Sequence, residues 1–227
     1  MNCGTMNWSI LFDEIKKKDY AIELHKFLND EYKNYIVYPP RELLFNAFKL
    51  TPLVEVKVVI IGQDPYPNEH QAMGLAFATP VGIAVPPSLK NIYKEIENEF
   101  NTSMYKGDGD LTYLAKQGVL LLNAYLSVRA KSPLSHKNKY YEMFFEDVLT
   151  FLDQIDKPIV FMLWGNFARY YKKYIHNPLH LVLEASHPSP LAMAHSTFFG
   201  SNHFVLANKF LESHQIAPIN WIKPSLK

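Results

Sequence analysis

Four short runs of branched apolar residues are spaced along the chain, and segments with helical spacing lie between them. A strand with one solvent-exposed face alternates apolar and polar residues, and these runs do not. Continuous apolar runs are typical of strands buried on both faces of a parallel sheet. They span residues 56–61, 119–122, 159–164 and 181–183. Because strands that alternate with helices form a sheet covered on both faces, we predict a three-layer α/β/α fold around a central four-stranded parallel sheet.

Apolar residues at every third or fourth position predict the helices. Residues 7–30 contain two such stripes, and a third helix is predicted from Pro40, because proline suits the first turn of a helix. Ser88 is predicted to cap the next helix, since a serine hydroxyl can accept a hydrogen bond from a first-turn amide. The later helices are predicted at residues 89–100, 140–154 and 201–213 and directly after Gly165.

No linker, repeat or low-complexity tract divides the 227 residues, so one domain is predicted for residues 1–227. We expect N-terminal helices over residues 7–50 and an α/β core over residues 51–215. The segment Lys106–Asp110 contains two glycines and two aspartates and predicts a flexible surface turn. With 48% apolar and 20% charged residues, the composition is that of a folded globular protein.

Cysteine content and charge exclude several classes of function. Cys3 is the only cysteine, so a disulfide framework, a thiolate zinc site and a four-cysteine iron–sulfur cluster are excluded within one chain. The histidines show no metalloprotease spacing, and neither a metal ion nor a cofactor is expected. The formal net charge is +1, so contact with nucleic acid would need a local patch of cations.

No stretch of the chain predicts export or a membrane span. The N-terminal segment mixes Ile10, Leu11 and Ile15 with acids and lysines, so it lacks the apolar centre of a signal peptide. No run approaches the roughly 18 apolar residues of a membrane span. We therefore expect a soluble, intracellular protein without a membrane partner. A cytoplasmic monomer of bacterial type is the working expectation, and a nuclear or viral context stays open.

Each predicted strand is followed by a polar residue just beyond its carboxyl end. These residues are Gln63 with Asp64, Asn123, Asn166 and His187. In a parallel sheet the carboxyl ends share one edge, where ligands bind in open α/β folds. Taken singly, each has an ordinary explanation, because asparagine is common in turns and a lone histidine is more often structural. Their coincidence favours one crevice that holds an acid, a hydrogen-bonding amide and an imidazole.

The exit from the first strand is unusual. Gly62 permits a sharp turn and a close backbone approach, while Pro65 and Pro67 restrict the backbone on either side of Tyr66. A carboxylate beside a braced aromatic ring suggests a functional site. An Asp-Pro turn that only closes the strand explains the segment equally well.

The chain contains six short motifs in order: Gly62–Tyr66, Gly74–Phe77, Pro86–Leu89, Leu121–Asn123, Leu163–Gly165 and His187–Leu191. Together they resemble uracil-DNA glycosylase, family 1. The likeness extends from about Tyr38 to Trp221, and the first and last motifs are highly specific as a pair. It implies the fold of that family and a monofunctional hydrolase that flips uracil out of DNA and hydrolyses its N-glycosidic bond. Such an enzyme leaves an abasic site and initiates base-excision repair.

By this resemblance, four residues form the uracil pocket. Asn123 would read the Watson–Crick edge of uracil with one donor and one acceptor, a pattern that cytosine reverses. Phe77 would stack on the base, and Tyr66 would stand against C5, where thymine carries a methyl group. Gln63 would contribute contacts beside them.

The catalytic residues that the resemblance implies are Asp64 and His187. Asp64, as a carboxylate, would stabilise cationic character on the sugar and orient or activate water. His187, as a neutral donor, would stabilise the negative charge that develops on uracil O2. This scheme uses no metal ion and no cofactor.

The resemblance also implies contacts with DNA around the pocket. Leu191 would fill the gap left by the flipped nucleotide, while Ser88 and Ser189 would contact flanking phosphates. The substrate would be uracil-containing DNA, single- or double-stranded, and a proteinaceous inhibitor would occupy the same face. The other DNA-contacting positions are Pro67, Pro87, Asn166 and His195.

Three features depart from the family's pattern. Pro67 stands where histidine is usual, and Asn166 stands where serine is usual. The segment Ala192–Gly200 is one residue longer than usual and lacks its arginine, so either the grip on DNA is weaker or His195 replaces the cation in a pH-dependent way. These departures keep open a second hypothesis, a DNA-binding or partner-binding module on the same fold with little activity.

Overall fold

Residues 7–195 and 197–223 are described in the computed structural model. In chain order their strands are β1 (Val37–Tyr38), β2 (Val58–Gly62), β3 (Val119–Asn123), β4 (Val128–Arg129), β5 (Val160–Trp164) and β6 (Leu181–Ala185). Four of them form a parallel sheet in the order β3–β2–β5–β6, which confirms the predicted sheet. β1 pairs with β4 in a separate antiparallel ribbon that the sequence pattern did not predict.

Helices surround this sheet, as the predicted α/β/α architecture requires. They are α1 (Trp8–Ile15), α2 (Asp19–Asn34), α3 (Asn46–Leu50), α4 (Pro87–Phe100), α5 (Thr112–Ala115), α6 (Lys139–Asp153), α7 (Gly165–Tyr170) and α8 (His203–Ser213). α8 packs against α4, β5 and β6, whereas α6 packs against α1 and α2. Within the described residues, no helix has the length and apolarity needed to cross a membrane.

The strands that carry most of the predicted site are buried over their whole length. Every residue of β2, β3 and β5 is buried, and β3, although at the sheet edge, is covered by α3 and α5. Burying one Val, Leu or Ile side chain stabilises a fold by roughly 1.5–3 kcal/mol, so a large apolar contribution holds these strand ends in place. β6 is the more exposed edge strand.

The N-terminal helices share the hydrophobic core of the sheet. Trp8 donates its indole N–H to the carbonyl oxygen of Thr51 at 2.8 Å, which joins α1 to the end of α3. One continuous cluster of buried side chains includes both Trp8 and Trp221. On this ground we propose that the N-terminal helices and the α/β core fold as one domain.

The starts of two helices differ from the prediction. Pro40 does not begin a continuous helix, because a separate 3-10 turn at Arg41–Leu43 precedes α3. Ser88 is not an N-cap, since α4 begins at Pro87 and Pro86 occupies the cap position. A proline at the first helical position loses no hydrogen bond there, so the helix starts before the serine.

The predicted surface turn at Lys106–Asp110 is exposed only at its start, because Asp108 and Gly109 are buried. Asp108 is 1% exposed and forms an ion pair with Lys223, which is 6% exposed. The Asp108 carboxylate also accepts the main-chain N–H of Asp110 at 2.8 Å, and the Tyr93 hydroxyl donates to the Asp108 carbonyl at 3.1 Å. The local pattern of glycine and aspartate could not reveal a partner 115 positions further along the chain.

Removing one partner of this buried ion pair should destabilise the fold strongly. Lys223→Ala leaves the Asp108 carboxylate buried without its cation, and such losses cost about 3–5 kcal/mol. The matched control is Lys106→Ala, which removes a lysine that is 51% exposed and pairs with Glu97, so its effect should be small. Urea denaturation compares the two variants, and equal free energies of unfolding would contradict the expectation.

Candidate active site

The carboxyl ends of β2 and β3, together with the segment after β6, open onto one cavity of about 230 Å³. Parallel pairing brings these ends to the same edge of the sheet, so distant parts of the sequence meet there. Eight residues predicted for the site line this cavity: Gln63, Asp64, Tyr66, Pro67, Phe77, Ser88, Asn123 and His187. The structure thus gathers the acid, the amide and the imidazole in one place.

Asn123 lies opposite Gly62 in the register of β2 and β3. A Cβ atom on Gly62 would stand 2.0 Å from Asn123 Oδ1 and 2.8 Å from the Cβ of Ala76, so only glycine leaves room for the amide. Asn123 is 8% exposed, and its side chain has no hydrogen-bond partner among the described residues. Burying an amide without a partner is costly, so this donor and acceptor pair is arranged to bind a ligand.

Asp64 follows β2 and is half-buried at the cavity wall. Its Oδ2 atom accepts the main-chain N–H of Leu134 at 2.8 Å. Burial raises the pKa of Asp64 above its usual 3.8, because a charged carboxylate loses hydration, while the Leu134 amide opposes this shift. The carboxylate is therefore both held in position and partly desolvated.

Tyr66 and Phe77 form an aromatic wall of the cavity. The Tyr66 hydroxyl donates to the carbonyl oxygen of Phe77 at 3.1 Å. Phe77 has φ of 66°, a left-handed conformation that a bulky residue adopts only when its surroundings hold it there. Its ring centroid lies 5.7 Å from that of Trp164 and 5.9 Å from that of His187. The Tyr66 hydrogen bond thus helps to fix the strained backbone that presents the Phe77 ring.

His187 follows β6, and two neighbours determine its orientation. The main-chain N–H of Ser189 donates to His187 Nδ1 at 3.0 Å, which places the proton of the neutral ring on Nε2. Burial lowers the pKa of His187 below its usual 6.5, so the neutral form predominates near pH 7. Gly165 has φ of +82°, and a Cβ atom there would stand 2.9 Å from the Cβ of His187. The ring is therefore a neutral donor that packs against a glycine.

The remaining predicted positions lie outside the cavity wall. Leu191 is 98% exposed in the 3-10 turn Pro190–His195, and the Oγ of Ser189 accepts the Leu191 main-chain N–H at 3.3 Å. Pro87 is exposed at the first position of α4. Asn166 is exposed in α7, and its amide oxygen accepts a hydrogen bond from the Arg169 guanidinium. The side chain of His195 lies outside the described residues.

Sequence reasoning missed two kinds of contributor to the site. The first is Leu134, which acts through its main-chain amide, so its side-chain type carried no signal. The second is the part of the wall formed by Ala72, Met73 and Pro133, which no motif included. Gly74, from the motif Gly74–Phe77, also lines the cavity, and a Cβ atom there would meet the Leu43 carbonyl oxygen at 2.1 Å. In the described part of the chain, no three His, Cys, Asp or Glu side chains are grouped to hold a metal ion.

Comparison with known families assigns the chain. Residues 48–212 match the family model of the uracil DNA glycosylase superfamily. The chain belongs to this superfamily. It is 49% identical to a uracil-DNA glycosylase from Campylobacter jejuni subsp. doylei, over 93% of this chain and 90% of that protein. It is 46% identical to a uracil-DNA glycosylase from Oceanobacillus iheyensis, over 96% of this chain and 94% of that protein.

Solved structures of the superfamily share this fold. The crystal structure of mimivirus uracil-DNA glycosylase superposes with a TM-score of 0.88 and 28% identity, over 94% of this chain and 85% of that one. A single-residue variant of mimivirus UNG, in complex with UGI, gives a TM-score of 0.87 at 28% identity, over 94% of this chain and 87% of that one. The predicted uracil-DNA glycosylase-like fold is confirmed.

The contact of Gly165 with His187 can be tested against a second glycine. Gly165→Ala and Gly82→Ala both place a side chain at positive φ, +82° and +87°, but open space surrounds Gly82. Gly165→Ala should therefore lower the free energy of unfolding by about 1–3 kcal/mol more than Gly82→Ala, because it also overpacks His187. Urea denaturation measures this difference, and the NMR shifts of the His187 ring should change only in Gly165→Ala. Equal destabilisation with an unmoved ring would refute the role of the contact.

Proposed function

We propose that the chain is a family 1 uracil-DNA glycosylase, an enzyme that flips uracil out of DNA and hydrolyses the N-glycosidic bond. The observation that carries the proposal is the meeting of Asp64, Asn123 and His187 at one cavity of about 230 Å³. A cavity of this size admits one extruded base and excludes a stacked duplex, so base flipping is required. The motifs Gly62–Tyr66 and His187–Leu191 and the likeness to the mimivirus enzyme support the family 1 type.

Asn123 supplies recognition of the base. Its buried amide offers one donor and one acceptor toward the cavity, which matches the O4 and N3–H edge of uracil. Cytosine presents an acceptor and a donor in the opposite order, so binding it would leave the buried amide unpaired. Phe77 provides the flat apolar surface on which the uracil ring stacks.

Tyr66 excludes thymine. The ring cannot withdraw easily, because Pro65 and Pro67 restrict the backbone on both sides and the hydroxyl is bonded to the Phe77 carbonyl. A methyl group on C5 of the base would meet this wall. Rejection by a rigid obstacle discriminates more strongly than a soft apolar pocket, in which one methyl group is worth only about 1–3 kcal/mol.

The two ionisable residues divide the charge that develops in the reaction. When the bond between C1′ and uracil N1 breaks, its electron pair goes to uracil and cationic character remains on the sugar. The Asp64 carboxylate stabilises the sugar and orients water for addition of hydroxide to C1′. The Nε2–H of His187 donates to uracil O2, and the water's second proton ends on the released base.

Activity should fall at acidic pH, since burial raises the pKa of the required carboxylate.

The rim of the cavity provides the contacts with DNA. Leu191 is proposed to fill the gap in the duplex left by the flipped nucleotide, and its 98% exposure supports this role. Ser88 lines the cavity, and Ser189 lies at the turn that carries Leu191. Both hydroxyl groups can donate hydrogen bonds to phosphates. Pro87, Pro67, Asn166 and His195 complete the proposed DNA-binding face. The Arg169 guanidinium donates a hydrogen bond to the Asn166 amide oxygen, so a phosphate near α7 would contact both side chains.

The same face is proposed to bind a proteinaceous inhibitor. Support comes from the mimivirus UNG variants whose structures were solved in complex with UGI. An inhibitor that covers Leu191 would compete with DNA for it. The proposed form of the enzyme is a cytoplasmic monomer.

The decisive experiment measures uracil release from single- and double-stranded DNA that contains deoxyuridine, with cytosine- and thymine-containing DNA as controls. Rapid release of uracil alone supports the proposal. Tight DNA binding by folded protein without release would favour the second hypothesis, a binding module with little activity. The presence of Asp64, Asn123 and His187 around one cavity argues against that alternative.

Loss of either ionisable residue should cut the rate. Asp64→Asn and His187→Ala are each expected to lower kcat by at least about a hundredfold, because each removes a charge interaction made in the transition state. The exposed residues Asp156 and His176 provide matched controls, Asp156→Asn and His176→Ala, which should retain wild-type rates. Single-turnover assays separate the chemical step from product release, and wild-type rates in both site variants would refute the mechanism.

Shortening the aromatic wall should relax specificity. Tyr66→Ala opens the space beside C5, so thymine release from thymine-containing DNA should rise to a measurable rate while uracil release falls. Tyr66→Phe keeps the ring and loses only the bond to the Phe77 carbonyl, so it should still reject thymine. Chromatographic detection of the released base distinguishes the outcomes. If Tyr66→Ala still rejects thymine completely, Tyr66 is not the barrier.

A further inference from the structure

The loop between β4 and α6 carries the amide that holds Asp64. The main-chain N–H of Leu134 donates to Asp64 Oδ2 at 2.8 Å. The main-chain N–H of Lys131, in the same loop, donates to the carbonyl oxygen of Pro67 at 2.8 Å. The loop therefore contacts both ends of the segment from Asp64 to Pro67. Lys131 and Leu134 have φ of 59° and 60°, a backbone form that needs external support in residues other than glycine.

Both ends of this loop are bound to one carboxylate, that of Glu31 on α2. At one end, the guanidinium of Arg129 donates from Nε to Oε2 at 2.5 Å and from Nη2 to Oε1 at 2.6 Å. At the other end, Nε2 of His136 lies 3.0 Å from Oε2. Glu31 is 5% exposed, and the hydrogen bonds from Arg129 lower its pKa, so the carboxylate is charged.

The His136 end is fixed by further hydrogen bonds. Ser127 Oγ lies 2.8 Å from His136 Nδ1 and 2.7 Å from the Tyr141 hydroxyl. Burial lowers the pKa of His136, and one arrangement of protons then satisfies every group. Tyr141 donates to Ser127, Ser127 donates to Nδ1, and Nε2–H donates to Glu31. Ser127 is 0% exposed, so this serine, histidine and glutamate lie too deep to meet a substrate.

We propose that Glu31 is a positioning residue for the catalytic carboxylate, because it fixes the loop whose Leu134 amide orients Asp64. The inference rests on the proposed function, since it assumes that Asp64 takes part in the reaction. Glu31 itself does not line the cavity and is not a catalytic residue. It acts through Arg129 and His136 on a main-chain donor that no side-chain pattern reveals.

Loss of the contacts that Glu31 makes with Arg129 and His136 has a defined electrostatic consequence at Asp64. Burial raises the pKa of Asp64, and the hydrogen bond from the Leu134 main-chain N–H counteracts that effect. Loss of this hydrogen bond should therefore raise the pKa of Asp64 further. The ionisable groups facing Asp64 are Tyr125 from the segment after β3 and, across the cavity, Tyr66 and His187. Burial raises the pKa of both tyrosines and lowers that of His187, so all three are neutral near pH 7. His187 also gains a proton at acidic pH, so the titration of Asp64 itself, read beside the acidic limb of activity, reports on the carboxylate.

The test compares Glu31→Gln with Glu23→Gln. Glu23 lies on the same helix in a surface pair with Lys26, with side chains 45% and 64% exposed, so its variant is the matched control. Glu31→Gln should lower kcat by about ten- to a hundredfold, because small misplacement of a reacting group has effects of this size. KM should stay within about threefold of wild type, and the acidic limb of kcat should move to higher pH. Glu23→Gln should change none of these quantities.

A double-mutant cycle decides whether Glu31 acts through Asp64. In the Asp64→Asn background, Glu31→Gln should lower the remaining rate by less than about threefold, since the group it positions is already lost. An equal loss in both backgrounds, or an unchanged pH profile of Glu31→Gln, would overturn the proposal. If Glu31→Gln does not fold, Arg129→Lys replaces it, because lysine removes the two-pronged contact and retains the charge.

A readout without activity separates this inference from the proposed function. NMR titration of the Asp64 side-chain carboxyl carbon in the folded protein should give a higher pKa in Glu31→Gln than in wild type or in Glu23→Gln. If wild-type protein releases no uracil, the proposed function fails, but the titration still tests whether Glu31 positions Asp64. Equal pKa values of Asp64 in the three proteins would refute the positioning role of Glu31, whatever the activity.

Discussion

The site depends on the parallel register of β2 and β3, which sets Gly62 opposite Asn123. Because the missing side chain of Gly62 is what admits the Asn123 amide, a shift of either strand by one residue would separate the glycine from the asparagine and close that space. Full burial of both strands prevents such a shift, since their neighbours pack against both faces. Core packing and the proposed recognition of the base therefore depend on the same few residues.

Burial favours the neutral form of both Asp64 and His187, so it shifts their pKa values in opposite directions. It lowers the pKa of His187, which favours the neutral ring that donates from Nε2. It raises the pKa of Asp64, which disfavours the carboxylate that the proposed mechanism uses. The Leu134 amide offsets part of that penalty without introducing a charge of its own. One desolvated site can thus hold an anion and a neutral donor side by side, both oriented before substrate arrives.

Local pattern was enough to predict which side chains beyond the strand ends meet at one cavity. Asp64 and His187 could be placed at one sheet edge, because buried strands are short apolar runs and parallel topology aligns their ends. Main-chain donors such as Leu134 left no trace in the sequence, since every residue except proline carries the same amide. Long-range buried charges were also hidden. Glu31 has the polar sequence neighbours of a surface residue, and Lys223 has no acidic residue near it in the sequence. Their partners follow from the folded topology alone.

The 98% exposure of Leu191, together with its proposed place in the DNA duplex, has a consequence for the proposed complex. An isobutyl group kept in water carries unfavourable hydration, and this is relieved when the group enters a dry gap between stacked bases. Phosphate contacts weaken as added salt competes with them, whereas burial of an apolar side chain does not. The complex should therefore have a component of affinity that persists at high ionic strength and that contributes a negative heat capacity of association.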